Sequence, residues 1–142
     1  MRTRAALIAL IAFLGMVDAL YLSLKRNAGP IPCHVTKGCN DVLTSRYSAL
    51  AGVPLSWLGF AFYLTAFSLA VLKISEDPKK PAENVFKWLF YMAGAALIVS
   101  ALLTGIQAFI LKAFCEYCLL SAALVLTVFL LSPRPDLHTP TP

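Results

Sequence analysis

Charge is what this sequence has least of. Only 13% of its 142 residues are Asp, Glu, Lys or Arg, against 59% hydrophobic, and the mean hydropathy is +0.76. A soluble domain carries about a quarter charged residues, so an ordinary water-dissolved fold is excluded. A Gly-rich phosphate loop is missing, as are internal repeats and any basic patch interleaved with aromatics. Nucleotide cradling and nucleic-acid reading therefore have no carrier. The formal charge of +5 does not restore them, because its lysines and arginines flank the apolar runs, where membrane orientation places them. No clean A-x-A cleavage site follows the first apolar run, so Met1-Arg2-Thr3-Arg4 and that run read as a retained helix.

What is present is long apolar sequence. One span needs roughly 20 mostly apolar residues, and four runs qualify, at about 5–24, 52–72, 88–111 and 114–131. The first holds one acid, Asp18, and the fourth holds Glu116 near its start. Short polar connections join them, so the expectation is an all-α integral membrane protein: one four-transmembrane-helix bundle over residues 1–132. The first loop, about 25–51, is the longest; Asn40 there is placed to cap a short surface helix with Leu43, Tyr47 and Leu50 on one face. The third connection is tight, around Lys112. The tail, 133–142, has four prolines and is expected to be disordered.

The four cysteines sharpen this picture. Cys33 and Cys39 follow one crossing and Cys115 and Cys118 follow three, so all four lie on the same side of the bilayer. With both termini cytoplasmic, the Lys/Arg count favours that side by seven to five, and the cysteines are extracytoplasmic. Cys115-Glu116-Tyr117-Cys118 opens the fourth run. Cysteines at i and i+3 share a helical face, and a helix N-terminus favours the thiolate, which is the nucleophile of disulfide exchange. Redox dithiol chemistry is the leading reading. The alternatives are a structural zinc site with His34 as a further ligand, inert half-cystines, and a heavy-metal-binding or transporting protein that passes a soft cation between cysteine pairs.

In its order of cysteines and spans, the chain resembles the vitamin K epoxide reductase family, in the manner of a stand-alone bacterial or archaeal member. The resemblance rests on Cys33, Cys39 and Cys115-Glu116-Tyr117-Cys118, on Thr44-Ser45-Arg46-Tyr47, and on Gly52-Val53-Pro54-Leu55-Ser56-Trp57-Leu58-Gly59 with Tyr63. It covers the chain apart from the tail. It implies a membrane thiol–quinone oxidoreductase supporting disulfide bond formation. A reduced thioredoxin-fold disulfide oxidase of the periplasm or its extracytoplasmic equivalent passes electrons to Cys33 and Cys39. Cys39 links transiently to Cys115, and Cys118 faces a quinone of the ubiquinone or menaquinone class, with vitamin K itself as a further candidate. The implied location is the cell inner (plasma) membrane, multi-pass, among lipid, with no nucleic-acid partner and no resident metal. Ser45 matches a family serine near the site. Two positions depart from the vertebrate enzymes: Leu55 and Ala122 stand where those carry a hydrogen-bonding Asn and Tyr, so epoxide reduction is not expected.

Single residues carry further expectations. Asp18, an acid inside a span, is a candidate to polarise the quinone or relay its protons. Trp57 and Phe114 are candidate quinone-pocket aromatics, set against their alternative use as interfacial anchors. His34 and Glu116 are candidates to tune Cys33 and Cys115. Gly59, with Gly52, is expected to let helices approach closely, and Gln107 to bond between helices.

Overall fold

The four apolar runs become four helices. A computed structural model describes residues 2–28, 38, 41–42, 45–46, 49–50, 52–75 and 83–132. Helix α1 spans Arg2–Ala28, α2 Leu55–Ser75, α3 Glu83–Ile106 and α4 Glu116–Leu131. Thr3–Arg26, Leu55–Ser75 and Lys87–Leu111 are long and apolar enough to cross a membrane. Helix α4, at 16 residues, is shorter and spans about 24 Å against a hydrocarbon core of about 30 Å. It begins at Glu116 rather than at 114, which leaves Cys115 just outside it.

Small residues hold the bundle together. On α1, Ala5, Ala9, Ala12 and Ala19 fall on one face with Ile8 and meet Tyr63, Ala66 and Ala70 of α2. Leu89 and Ala93 of α3 and Val125 and Val128 of α4 complete this core. The α1–α2 contact is the most extensive, and α4 packs against both α1 and α3. Alanine and glycine at such a seam let backbones approach closely enough for dispersion to hold them in lipid. At Gly15 the approach is obligatory, because a Cβ there would overlap the Tyr63 ring. Fully buried Tyr63 also donates its hydroxyl to the Ser121 carbonyl at 2.8 Å and lies 2.9 Å from the Ser121 hydroxyl, pinning α2 to α4. On the outside, large apolar side chains stand bare, Phe109 at 82% and Leu130 at 68% exposed. Lipid is the solvent that accepts such a surface, and the chain is a membrane protein.

The close approach expected at Gly59 does not require glycine, since a Cβ there would make only an ordinary contact, 3.9 Å from the Ala19 Cβ. Gly52 is a different case. Nothing lies within 4 Å of its Cβ position, and its φ of +85° is the reason glycine stands there. It turns the chain between β1 (Ala49–Leu50) and β2 (Val53–Pro54), which pair antiparallel with Leu50 opposite Val53. Leu50 is therefore extended and does not extend the face of a loop helix. In that loop Asp41 and Val42 are helical, Val42 N–H donating to the Gly38 carbonyl at 3.0 Å. Asn40, Leu43 and Tyr47 lie outside the described residues, as do Cys33, Cys39, His34 and the tail.

The tight third connection has a specific construction. Helix α3 widens into a π-helical turn, Gln107–Leu111, which closes when Ala113 N–H donates to the Gln107 carbonyl at 3.1 Å. Lys112 then takes a left-handed conformation, φ 51°, that non-glycine residues seldom adopt. Within four residues the chain has reversed into α4.

Candidate functional site

Cys115 is the N-cap of α4. Its backbone is extended (φ −102°, ψ 115°), and its sulfur accepts from the Cys118 N–H at 3.4 Å, as a capping oxygen does elsewhere. Hydrogen bonding from the Cys118 side chain, joined by the backbone N–H groups of Cys118 and Tyr117, holds the Cys115 thiol below its ordinary range against the opposing effect of burial. These donors and the helix N-terminus favour the thiolate. Both cysteines are free thiols in this structure.

Cys115 is also completely covered. Leu22 and Val42 enclose it, with Tyr21, Leu111, Ala113 and Tyr117 around them. The cover includes the first loop: a Cβ on Gly38 would lie 2.8 Å from the Ala113 Cβ, 2.8 Å from the Phe114 nitrogen and 2.9 Å from the Phe114 oxygen. Two of those three atoms are backbone. Only glycine lets the loop lie this close to the segment leading into Cys115, and the next residue in the chain is Cys39.

Cys118 faces the other way, onto a cavity of about 120 Å³ between all four helices and the first loop. A single water needs only about 10–15 Å³ on this measure, so the space takes a small ring. Its apolar wall includes Leu22, Leu55, Leu103 and Leu111. The polar groups on its wall include Asp18, Ser45, Ser56, Gln107 and Ser121. Two buried polar atoms there, Asp18 Oδ2 and Ser56 Oγ, make no hydrogen bond among the described residues. An orphaned buried polar group costs about 1–3 kcal/mol, and two on one cavity wall point to a ligand that pairs with them. Ser45 donates its hydroxyl to the Val42 carbonyl at 2.7 Å and so braces the turn that covers Cys115.

Gln107 links the two halves of the site. Its Oε1 accepts from the Cys115 N–H at 3.0 Å, across eight residues and the chain reversal. The π-helical turn starts at this residue, and such widened turns recur where a helix must present a functional group.

Among the sequence-derived candidates, the structure brings Asp18, Ser45, Cys115 and Cys118 together. Trp57 and Phe114 are 41% and 42% exposed and do not line the cavity; Trp57 packs edge-on to Phe60 at 6.0 Å. Glu116 sits half-buried in the first turn of α4. Sequence alone gives no reason to single out Ser56, Ser121, Gly15 or Gly38, and for Gln107 it suggests only a bond between helices. The visible signal was a lone amide in an uncharged apolar run; its partner, a backbone N–H eight residues on, carries none. Among the described residues no three His, Cys, Asp or Glu side chains converge as a metal site.

Comparison with known proteins agrees with this geometry. Residues 6–132 match the model of the vitamin K epoxide reductase family. The chain is 36% identical over 131 residues to the thiol-disulfide oxidoreductase LTO1 of Arabidopsis thaliana. That match covers 84% of this chain and 33% of the plant protein, so the chain spans about a third of its relative's length. A family match over nearly the whole described bundle, both cysteines of the helix-start motif included, settles the kinship: this chain belongs to the vitamin K epoxide reductase family.

Proposed function

We propose that the protein is a membrane thiol–quinone oxidoreductase. It draws electrons from a reduced thioredoxin-fold protein through Cys33 and Cys39 to Cys115 and Cys118, and delivers them to a quinone in the cavity. The observation that carries this reading is the two-sided placement of the dithiol. Cys115 lies against Val42 of the first loop, whose Gly38, the residue before Cys39 in sequence, rests on Ala113 and Phe114, and Cys118 lies on a cavity with two orphaned polar atoms. A quinone head, with carbonyl oxygens on an apolar ring, fits a wall of leucines bearing an acid and a hydroxyl.

Each residue has a derivable part. The Cys39 thiolate attacks Cys115 of the Cys115–Cys118 disulfide, forming a Cys39–Cys115 bond and releasing Cys118 as thiolate. Cys33 then attacks Cys39, frees Cys115, and leaves the loop pair oxidised and the helix pair reduced. The N-cap position makes Cys115 a good leaving group in that second exchange. A bound quinone supplies a sink for two electrons and two protons. Re-forming the Cys115–Cys118 disulfide releases that number of each, and Asp18 is placed on the wall to hold a proton. The loop pair is re-reduced by its partner, which leaves as a disulfide. The extracytoplasmic placement of all four cysteines and the multi-pass topology with cytoplasmic termini, α4 as the fourth span, belong to this proposal. A ubiquinone or menaquinone head is favoured over an epoxide because Leu55 lines the cavity and offers no hydrogen bond.

The test is quinone reduction by purified protein in detergent, driven by a reduced thioredoxin-fold protein. Turnover should disappear with Cys33→Ala, Cys39→Ala, Cys115→Ala or Cys118→Ala. A small dithiol should partly restore the first two, because it can reach the helix pair without the loop pair. Full turnover without Cys118, or none in the wild type alongside bound zinc or mercury, would reject the relay.

A further inference from the structure

Gln107 has one end accounted for and one end spare. The Cys115 N–H can only be met by an acceptor, which fixes the amide: Oε1 toward Cys115, Nε2 away from it. The residue is 4% exposed and lines the cavity. Among the described residues nothing accepts from Nε2. A primary amide whose oxygen is committed has two N–H donors remaining.

We infer that the Gln107 amide nitrogen donates a hydrogen bond to a carbonyl oxygen of the ligand in this cavity, while its oxygen positions Cys115, so that one side chain ties the acceptor to the redox dithiol. This inference rests on the quinone reading above. Chemistry makes the pairing specific: a ring carbonyl is an acceptor only, and the cavity needs a fixed donor to orient it. Asp18 is a donor only when protonated, and Ser56 can turn its hydroxyl either way. Gln107 is a donor at every pH. It stands at the widened end of α3, the place where the helix ladder leaves room for a side chain to reach two partners. The consequence is that ligand binding and dithiol geometry are coupled through a single residue. Strengthening the bond at Nε2 polarises the amide and strengthens the Oε1 bond to Cys115.

The experiment uses oxidised protein, so that no electrons flow, and tetramethyl-1,4-benzoquinone as the probe. Three quantities are read: the Kd, the infrared stretch of the probe's isotope-labelled carbonyl, and the exchange rate of the 15N-labelled Cys115 amide. In the wild type the carbonyl stretch should fall below its value in detergent alone. Gln107→Met keeps the bulk and removes both roles. It should weaken binding about five- to tenfold, abolish the lowered stretch and speed Cys115 amide exchange. Gln107→Glu separates the roles. Its carboxyl keeps an oxygen for the Cys115 N–H, and when protonated also offers an O–H to the cavity. The ratio of its Kd to the wild-type value should approach one as pH falls, with Cys115 exchange slow throughout.

An unchanged Kd and stretch in Gln107→Met, in protein that binds the probe, would overturn this inference alone. So would a Gln107→Glu defect of constant size at every pH. Failure of the wild type to bind the probe would overturn the quinone reading and this inference with it.

Discussion

Gly15→Ala is the substitution whose cost can be worked most directly from the structure. The added methyl would stand 2.5 Å from the Tyr63 Cδ1 and Cζ atoms and closer still to Cε1. Contacts of that kind relax only if the ring moves, and Tyr63 is fully buried, packed against Phe62 at 5.1 Å and fastened through its hydroxyl to Ser121. Overpacking of a core costs about 1–3 kcal/mol. Pulling the hydroxyl off Ser121 adds about 1 kcal/mol, for a sum of about 2–4 kcal/mol. At about 3 °C per kcal/mol for a chain of this size, the thermal midpoint in detergent should fall by about 6–12 °C. Tyr63→Phe, which removes the hydroxyl and keeps the ring, should cost only the second part. Gly15→Ala combined with Tyr63→Leu should be less damaging than the two changes summed, because the smaller side chain makes room for the methyl. A midpoint for Gly15→Ala within about 2 °C of the wild type would refute the obligatory contact.

Three further outcomes follow from particular residues. Gly38→Ala must lift the first loop off Ala113 and Phe114; electron transfer from the thioredoxin-fold partner should slow about tenfold (the loss of about 1.4 kcal/mol of docking), while direct reduction by a small dithiol is not slowed, in paired stopped-flow assays. Lys112→Gly relieves the left-handed conformation and should raise the thermal midpoint by about 2–4 °C, the equivalent of about 1 kcal/mol. In a Cys33→Ser, Cys39→Ser background, thiolate absorbance should place Cys115 below the ordinary thiol range. Cys118→Ala should move that midpoint up, because the largest contribution lowering it is the hydrogen bond from the Cys118 side chain; equal midpoints would contradict it.

The parts of this molecule that follow local rules were readable from sequence alone. Run length against bilayer thickness gave runs at about 5–24, 52–72 and 88–111, and α1, α2 and α3 begin and end three to five residues from those bounds; the Cys-x-x-Cys spacing marked the start of the fourth run. Ser45 and Asp18 came from a family pattern and from an acid out of place in an apolar run. What escaped depends on tertiary partners. Gly15 has no signal of its own until Tyr63 lies across it, and Gly38 none until the loop rests on Ala113. Gly52 and Gly59 look alike in sequence, yet Gly52 serves a positive φ, while a Cβ at Gly59 would meet only an ordinary contact with Ala19. The π-helical turn has no proline to announce it; it begins at Gln107, whose side chain reaches forward to Cys115. Trp57 and Phe114 resemble pocket aromatics by type, but lie on the outside of the bundle.

The most direct test of the central claim needs no partner protein. Prereduced protein is mixed anaerobically with a fully substituted benzoquinone in substoichiometric amount, and the cysteines are then mapped by alkylation. A disulfide should form mole for mole with quinol, held at Cys115–Cys118 in Cys33→Ala/Cys39→Ala and shared between that pair and Cys33–Cys39 in the wild type, and none should form in Cys118→Ala. Thiols left untouched in the wild type, or quinol formed without Cys118, would contradict the account.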